Sequence, residues 1–211
     1  MRRYGNMLRV ADCPLDAVKN RAGIVDLRLL AGKTAVHSDM LMWNYEDTAE
    51  SAALQFINVI FSVPQVSVLI EKLSEEHRKM LEFYLLFWKE NRECLIGGRL
   101  SAENPEAGCG FISSETEDII IAASYIKNVM SIKKPYKEIV FINGSWDDEL
   151  FINNKFGEMK AECKVYTCTG DVRVSKTVTL KKGINAFDVP KSGFVRLCFC
   201  ENKRGFTASE T

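Results

Sequence analysis

Residues 34–43 are the stretch that most constrains the fold of this chain. The stretch begins with small apolar residues, becomes polar at His37, Ser38 and Asp39, and is bulky and apolar again through Trp43. A buried parallel strand has a nearly continuous apolar sequence, because helices cover both faces of its sheet. Barrels and open α/β sheets place their ligands at the carboxyl ends of such strands. The three polar residues therefore either belong to a ligand site or only cap the strand and satisfy backbone groups.

Strand patterns and helix patterns alternate through the first 97 residues. Asp47 with Glu50 three residues later predicts the start of one helix, and Gly32 predicts the end of another. This alternation is typical of parallel βα units. The predicted strands are 6–12, one within 34–43, and 65–69, and the predicted helices are about 16–30, 48–61 and 74–94.

The sequence changes character after Gly97-Gly98. Short β-rich runs now alternate with turn signals such as Asn143-Gly144, which argues for an antiparallel β-sandwich. We therefore predict two domains, residues 1–97 and residues 98–211. The predicted strands of the second domain are 110–113, 118–125, 138–143, 149–153, 162–167, 173–180, 185–189 and 193–199.

The charge and hydropathy of the chain exclude several classes of function. It has 28 basic and 28 acidic residues, so its formal net charge is zero. A neutral chain has no electrostatic footprint for nucleic acid or for an anionic membrane, and we expect it to bind neither. None of its apolar runs reaches the roughly 18 residues that span a bilayer. The basic N-terminus is not followed by the apolar region of a signal peptide.

Seven cysteines are spread along the chain, and their number is odd. Cys198 and Cys200 form a close pair, but no second pair stands at zinc-like spacing. With only His37 and His77 available, and His77 expected to be solvated in the first turn of a helix, we expect neither a metal site nor a cofactor. The cysteines are interpreted as reduced thiols of a cytoplasmic protein.

Three stretches together resemble the family 36 glycoside hydrolases, which are mostly α-galactosidases. These stretches are Arg9-Val10-Ala11-Asp12-Cys13-Pro14-Leu15-Asp16, the run Val36–Trp43, and Leu73-Ser74-Glu75-Glu76 followed by Phe87-Trp88-Lys89 and Arg92. The family has a (β/α)8 barrel followed by a β-sandwich. The resemblance implies that residues 1–97 form the last three βα units of such a barrel, and that an antiparallel β-sandwich follows. Its substrate would be an α-galactoside oligosaccharide.

The resemblance also implies roles for individual residues. Asp12 matches the general acid/base at the end of the sixth barrel strand, and Arg9 matches the arginine three residues before that acid. His37 and Ser38 match residues at the end of the seventh strand, close to the sugar. The alternative for Asp12 is the N-cap of the following helix.

Further candidates for substrate binding are Asp16, Asp39 and Trp43. Asp16 either caps the helix or lies at the rim of the sugar site, and Trp43 either stacks on a sugar ring or belongs to the core. In the β-rich half, Trp146 with its two following aspartates is either a carbohydrate-binding aromatic or a turn residue that packs on the sandwich edge.

A retaining glycosidase needs a nucleophilic carboxylate beside its acid/base. The family takes that nucleophile from a Lys-x-Asp motif, which occurs nowhere in these 211 residues, and Asp39 is not its equivalent. The first five barrel strands are also missing. We therefore expect a C-terminal fragment, whether a truncated reading frame, a split gene whose partner chain supplies the front of the barrel, or an engineered piece. The complete enzyme is expected to be a homo-oligomer. The alternative is a non-catalytic remnant or an accessory carbohydrate-binding module.

Overall fold

The computed structural model describes residues 5–11, 16–32 and 34–199, and within them it contains three α-helices, two 3-10 helices and thirteen strands. The helices are α1 (Ala17–Ala31), α2 (Ala49–Val59) and α3 (Glu75–Gly97), and the 3-10 helices are Ile70–Lys72 and Pro105–Ala107. The strands are β1 (Met7–Arg9), β2 (Ala35–Leu41), β3 (Val63–Val66), β4 (Arg99–Glu103), β5 (Phe111–Glu115), β6 (Ile119–Ser124), β7 (Val129–Ser131), β8 (Glu138–Asn143), β9 (Glu149–Asn154), β10 (Met159–Tyr166), β11 (Val172–Leu180), β12 (Gly183–Asp188) and β13 (Phe194–Phe199).

Each α-helix begins at a side chain that accepts a hydrogen bond from the backbone of its first turn, which satisfies one of the amide groups left free at a helix start. Asp16 accepts from the Lys19 amide, Thr48 from the Ser51 amide and Ser74 from the His77 amide. Thr48 therefore caps the second helix, one residue after the predicted cap Asp47. Gly32 ends α1 with a φ of 60°, a conformation that favours glycine.

The first three strands form a small parallel sheet in the order β1-β2-β3. Arg9 of β1 lies opposite His37 of β2, and the pairing of β2 with β3 is irregular between His37 and Met40. Pro64 lies within β3, and as an edge strand β3 tolerates a residue that cannot donate to the ladder.

A seven-stranded sheet in the order β11-β10-β13-β8-β6-β5-β4 lies at the centre of the molecule. Side chains of alternate residues point to opposite faces of a strand. In β8, Val140 and Ile142 pack into the cluster formed with the three α-helices, whereas Ile139 and Phe141 pack into a second cluster. The central strands are therefore buried on both faces, which explains their nearly continuous apolar sequences.

The second cluster lies between the seven-stranded sheet and a smaller sheet with the order β12-β9-β7. Leu150 and Ile152 of β9 and Met130 of β7 contribute from the smaller sheet. β6 pairs with β8 in parallel, and β7 pairs with β9 in parallel, so neither sheet is purely antiparallel.

The fold predicted from the sequence is wrong. The described part of the chain is mostly β-structure in mixed sheets, and no barrel is formed there. Its three parallel strands make an open sheet, because nothing in the described ranges pairs with the outer edges of β1 and β3. The sandwich is not antiparallel, because the chain crosses to the other sheet between β6 and β8. The predicted division into domains at residue 97 stays a prediction, and the helix-side cluster draws residues from both sides of it.

Phe194 provides a test of how firmly the helices are joined to the central sheet. Its ring is 2% exposed and lies 5.6 Å from Phe83, 4.9 Å from Phe87 and 4.9 Å from Tyr166 between ring centroids. We expect Phe194→Ala to lower the free energy of unfolding by about 3–5 kcal/mol, because it opens a cavity in this aromatic cluster.

Urea denaturation measures this loss, and Ile184→Ala is the control, since Ile184 is 66% exposed on β12. The control variant should stay within about 0.5 kcal/mol of the wild type. Equal losses in the two variants would contradict the packing described here.

Candidate functional site

Arg9 and Asp39 form an ion pair at the carboxyl ends of two adjacent parallel strands. Nη2 of Arg9 lies 3.3 Å from Oδ1 of Asp39 and donates a hydrogen bond to it. The Asp39 side chain is fully buried, whereas the Arg9 side chain is 32% exposed. A buried carboxylate needs such a partner, since removing a charge from water is costly without compensation. The pair therefore keeps a negative group in place at this end of the sheet.

The second oxygen of Asp39 has no donor among the described residues. Oδ2 is buried and has no hydrogen-bond partner in the described chain, whereas the Asp39 amide donates to Oδ1 of Asn20, 3.2 Å away. Asn20 is 4% exposed on α1, so α1 fixes the backbone at this position. An unsatisfied buried acceptor costs free energy that a donor group of a ligand would recover.

Ser38 and His37 have different roles beside this pair. Ser38 is fully buried, and its Oγ accepts a hydrogen bond of 2.9 Å from the Gln65 amide, which joins β2 to β3 where their pairing is irregular. This contact supports the capping interpretation of Ser38. His37 is partly exposed, and burial lowers its pKa, with a further decrease from the positive charge of Arg9. A neutral imidazole offers one donor and one acceptor.

Trp43 and His77 form a buried aromatic pair behind the end of β2. Their ring centroids are 6.1 Å apart and the rings are nearly perpendicular. Trp43 is 9% exposed, and its Nε1 has no hydrogen-bond partner within the described ranges. Its packing favours the core over a stacking surface for sugar. The prediction that His77 is solvated is wrong, because its side chain is only 1% exposed.

The histidine is held in one orientation by the loop that follows β2. Nε2 of His77 lies 2.9 Å from the carbonyl oxygen of Asp47. Because a carbonyl only accepts, Nε2 is the nitrogen that donates in this contact. Nδ1 is buried and has no partner in the part of the chain that is described. No local pattern predicts that His77 is buried, since its burial depends on the path of residues 42–48.

The other two predicted acidic residues lie differently. Asp12 falls outside the described residues. Asp16 caps α1, lies 3.3 Å from Nζ of Lys19, and has a side chain that is 53% exposed. The hydrogen bond from the Lys19 amide lowers the pKa of Asp16. These contacts support the capping role of Asp16, and the structure brings together Arg9, His37 and Asp39 of the predicted set.

A separate cavity of about 530 Å³ lies at the opposite end of β2, where Thr34, Gly98 and Arg28 contribute to its lining. Arg28 donates to the carbonyl oxygens of Phe61, Leu95 and Ile96 at 2.9, 2.5 and 2.7 Å. Burial lowers the pKa of Arg28 to about 10. This guanidinium binds backbone carbonyls near the ends of α2 and α3, which is a structural role. The candidate site is therefore the one at the other end of β2.

Two features are absent from the described residues, a cluster of metal-binding side chains and a membrane-spanning helix. They contain no group of three or more histidine, cysteine, aspartate or glutamate side chains that could hold a metal ion. Within the same ranges, no helix is both long enough and apolar enough to cross a membrane.

Comparison of the sequence with known proteins assigns no family. No protein-family model matches the chain, and no curated protein is significantly similar to it.

The pKa of His37 predicts a dependence of stability on pH. Because the folded chain lowers this pKa, the unfolded chain binds the proton more readily. The contribution of His37 is therefore fully present above about pH 6.5 and is lost as the pH falls toward the lower pKa of the folded state. We expect the wild type to lose more stability than His37→Gln between about pH 7.5 and pH 5.

Urea denaturation of both chains at the two pH values measures this difference. Comparing the two chains cancels the titration of the carboxylates that they share. An equal decrease in both would show that the environment of His37 does not disfavour its charged form.

Proposed function

We propose that this chain binds an α-galactoside at the carboxyl ends of β1 and β2 and contributes to a glycoside hydrolase site. The observation that carries the proposal is Oδ2 of Asp39, a buried carboxylate oxygen that lies beside a paired arginine and has no donor in the part of the chain that the structure describes. Sugar hydroxyl groups are donors, and hydrogen bonds to an ionised carboxylate are stronger than those between neutral groups. The resemblance of the sequence to family 36 glycoside hydrolases supports the choice of an α-galactoside.

Each residue of the proposed site has a separate role in binding. Asp39 accepts a hydroxyl hydrogen at Oδ2, while Arg9 donates to the other carboxylate oxygen. His37 is neutral near pH 7 and lies opposite Arg9 in the sheet, so its ring supplies one donor or one acceptor to the same ligand. Asp12 is proposed as the general acid/base on the resemblance alone.

Partners and compartment are further parts of the proposal. A second chain that provides the nucleophilic carboxylate completes the catalytic reaction, and the complete enzyme forms a homo-oligomer. We place the protein in the cytoplasm because its described cysteines, Cys94, Cys109, Cys163, Cys168 and Cys198, are all free thiols.

A non-catalytic carbohydrate-binding module is the second candidate. It is favoured by the lack of a Lys-x-Asp motif anywhere in the sequence, since that motif carries the nucleophile in the resembled family. The two candidates share the sugar-binding step and differ in turnover.

We expect Asp39→Asn to weaken binding of methyl α-galactopyranoside about ten- to a hundredfold, because a hydrogen bond to a charged group contributes about 1.5–3 kcal/mol. The substitution keeps the size of the side chain and replaces the carboxylate by a neutral amide. Isothermal titration calorimetry of the full chain measures the dissociation constant.

Asp26→Asn is the matched control, since Asp26 is an exposed acid on α1. Methyl α-glucopyranoside, which differs only in the orientation of one hydroxyl group, is the control ligand. Failure of the wild type to bind the galactoside, or equal weakening by the two substitutions, would refute the proposed site.

A turnover assay separates the two candidate functions. Both candidates predict that the chain alone releases no nitrophenol from a nitrophenyl α-galactoside, because its sequence lacks the Lys-x-Asp motif that carries the nucleophile of the two-step reaction, so only the assay with a partner chain separates them. Release above the spontaneous rate by the pure chain, abolished by Asp12→Ala, would contradict this expectation. The same assay repeated with a candidate partner chain tests the catalytic proposal directly.

A further inference from the structure

Trp146 is displayed in solvent on a loop that the fold holds firmly. Trp146 is 68% exposed, which favours the carbohydrate-binding alternative over a turn residue that packs on the sandwich edge. Asn143, fully buried at the end of β8, accepts hydrogen bonds from the amide and hydroxyl groups of Ser145 at 3.0 and 2.8 Å. Its Nδ2 donates to the carbonyl oxygens of Asp147 and Val189 at 2.7 and 2.9 Å. One buried amide therefore fixes both ends of the Trp146 turn.

The neighbouring loop between β12 and β13 is fixed in a similar way. Ser192 is 3% exposed and has a φ of 55°, a conformation unusual for any residue except glycine. Its Oγ donates to the carbonyl oxygen of Glu50 at 2.7 Å, and its own carbonyl oxygen accepts from the hydroxyl group of Tyr84. These contacts fasten the loop to α2 and α3. Strained residues that the surrounding structure holds in place are frequent at functional sites.

The two loops and the start of α2 border an open surface groove of about 370 Å³. We call it the Trp146 pocket, and its lining consists of Thr48, Glu50, Trp146, Asp148, Pro190 and Lys191. Nζ of Lys191 lies 5.8 Å from the centre of the Trp146 ring. The pocket thus combines one broad aromatic surface with two carboxylates, a hydroxyl group and an ammonium group.

This combination matches the chemistry of a pyranose sugar. A pyranose ring presents a flat patch of C–H groups that stacks on an aromatic ring, and its edge carries hydroxyl groups that donate to carboxylates and accept from an ammonium group. Galactose is a good example, because its axial O4 leaves one face of C–H groups uncovered. An apolar ligand would leave Glu50, Asp148 and Lys191 without suitable partners, and an anionic ligand would meet the two carboxylates.

We propose that the Trp146 pocket is a second saccharide-binding site, in which the Trp146 indole stacks on a galactose ring and Asp148 and Glu50 accept hydrogen bonds from its hydroxyl groups. The site goes beyond the proposed function, because it contains neither Arg9 nor Asp39 and binds sugar whether or not those residues do.

Titration of the full chain with methyl α-galactopyranoside tests this proposal. Stacking moves the Trp146 indole out of water, so we expect a shift of tryptophan emission to shorter wavelength at about millimolar sugar. Trp43 and Trp88 also emit, but neither lines the pocket. The emission change should be absent in Trp146→Ala and present in Ile184→Ala, which removes another side chain of high exposure.

Two neighbouring aspartates give a matched pair of variants. Asp148 lines the pocket and Asp147 does not. Asp148→Asn should weaken the emission response about tenfold, whereas Asp147→Asn should leave it unchanged. An equal effect of the two variants, a wild type without any emission change, or an undiminished change in Trp146→Ala would each overturn the proposal.

The Asp39→Asn variant distinguishes this proposal from the proposed function. If Asp39→Asn abolishes calorimetric binding and the emission of Trp146 never responds, the site at β1 and β2 stands and the Trp146 pocket fails. If the emission response persists in Asp39→Asn and calorimetry shows no loss of binding there, the pocket stands and the first site fails. Capture of a protein segment instead of a sugar by the pocket would also overturn it.

Discussion

The burial of both faces of the seven-stranded sheet is the constraint on which the rest of the structure depends. Ile120 and Ala122 of β6 face the smaller sheet, whereas Ile121 and Ala123 face the helices, and all four are almost fully buried. Such a sheet needs a cover on each side, because apolar surface left in water costs about 25 cal/mol per Å². The smaller sheet covers one face and the helices cover the other. The helices are thereby fixed, and with them the ends of the strands that they flank.

The buried Arg21 completes the attachment of α1 through carbonyl, amide and aromatic partners. Arg21 is 6% exposed, and its guanidinium donates to the Gly108 carbonyl at 2.7 Å and to Oδ1 of Asn58 at 2.5 Å. The same group lies 3.9 Å from the centre of the Tyr125 ring. Burial lowers the pKa of Arg21, but carbonyl, amide and aromatic partners compensate for the lost water. Since α1 also carries Asn20, this attachment determines where the backbone of Asp39 is held.

Local patterns in the sequence predict elements better than they predict partners. The bounds of β8 and the start of α3 near residue 74 agree with the structure, because a short apolar run bounded by turn residues and a capping serine are properties of a few consecutive residues. The strands β4 and β7 were missed, since β4 is a largely exposed edge strand and β7 has only three residues. The parallel pairing of β6 with β8 was unpredictable, because it depends on β7 crossing to the other sheet between them. Arg9 and Asp39 are likewise predicted as separate candidates but not as an ion pair, because their contact depends on how β1 and β2 pair.

Residues 42–48 connect the two candidate sugar sites through buried contacts. The segment begins at the end of β2, where Asp39 is held, and ends at Thr48, which caps α2 and lines the Trp146 pocket. Between them, Trp43 packs on His77, whose Nε2 donates to the Asp47 carbonyl. A segment that a buried histidine contacts near both of its ends, at Trp43 and Asp47, has little freedom to move one end without the other. The positions of both sites therefore depend on His77, a residue whose polar character alone suggested a place in solvent.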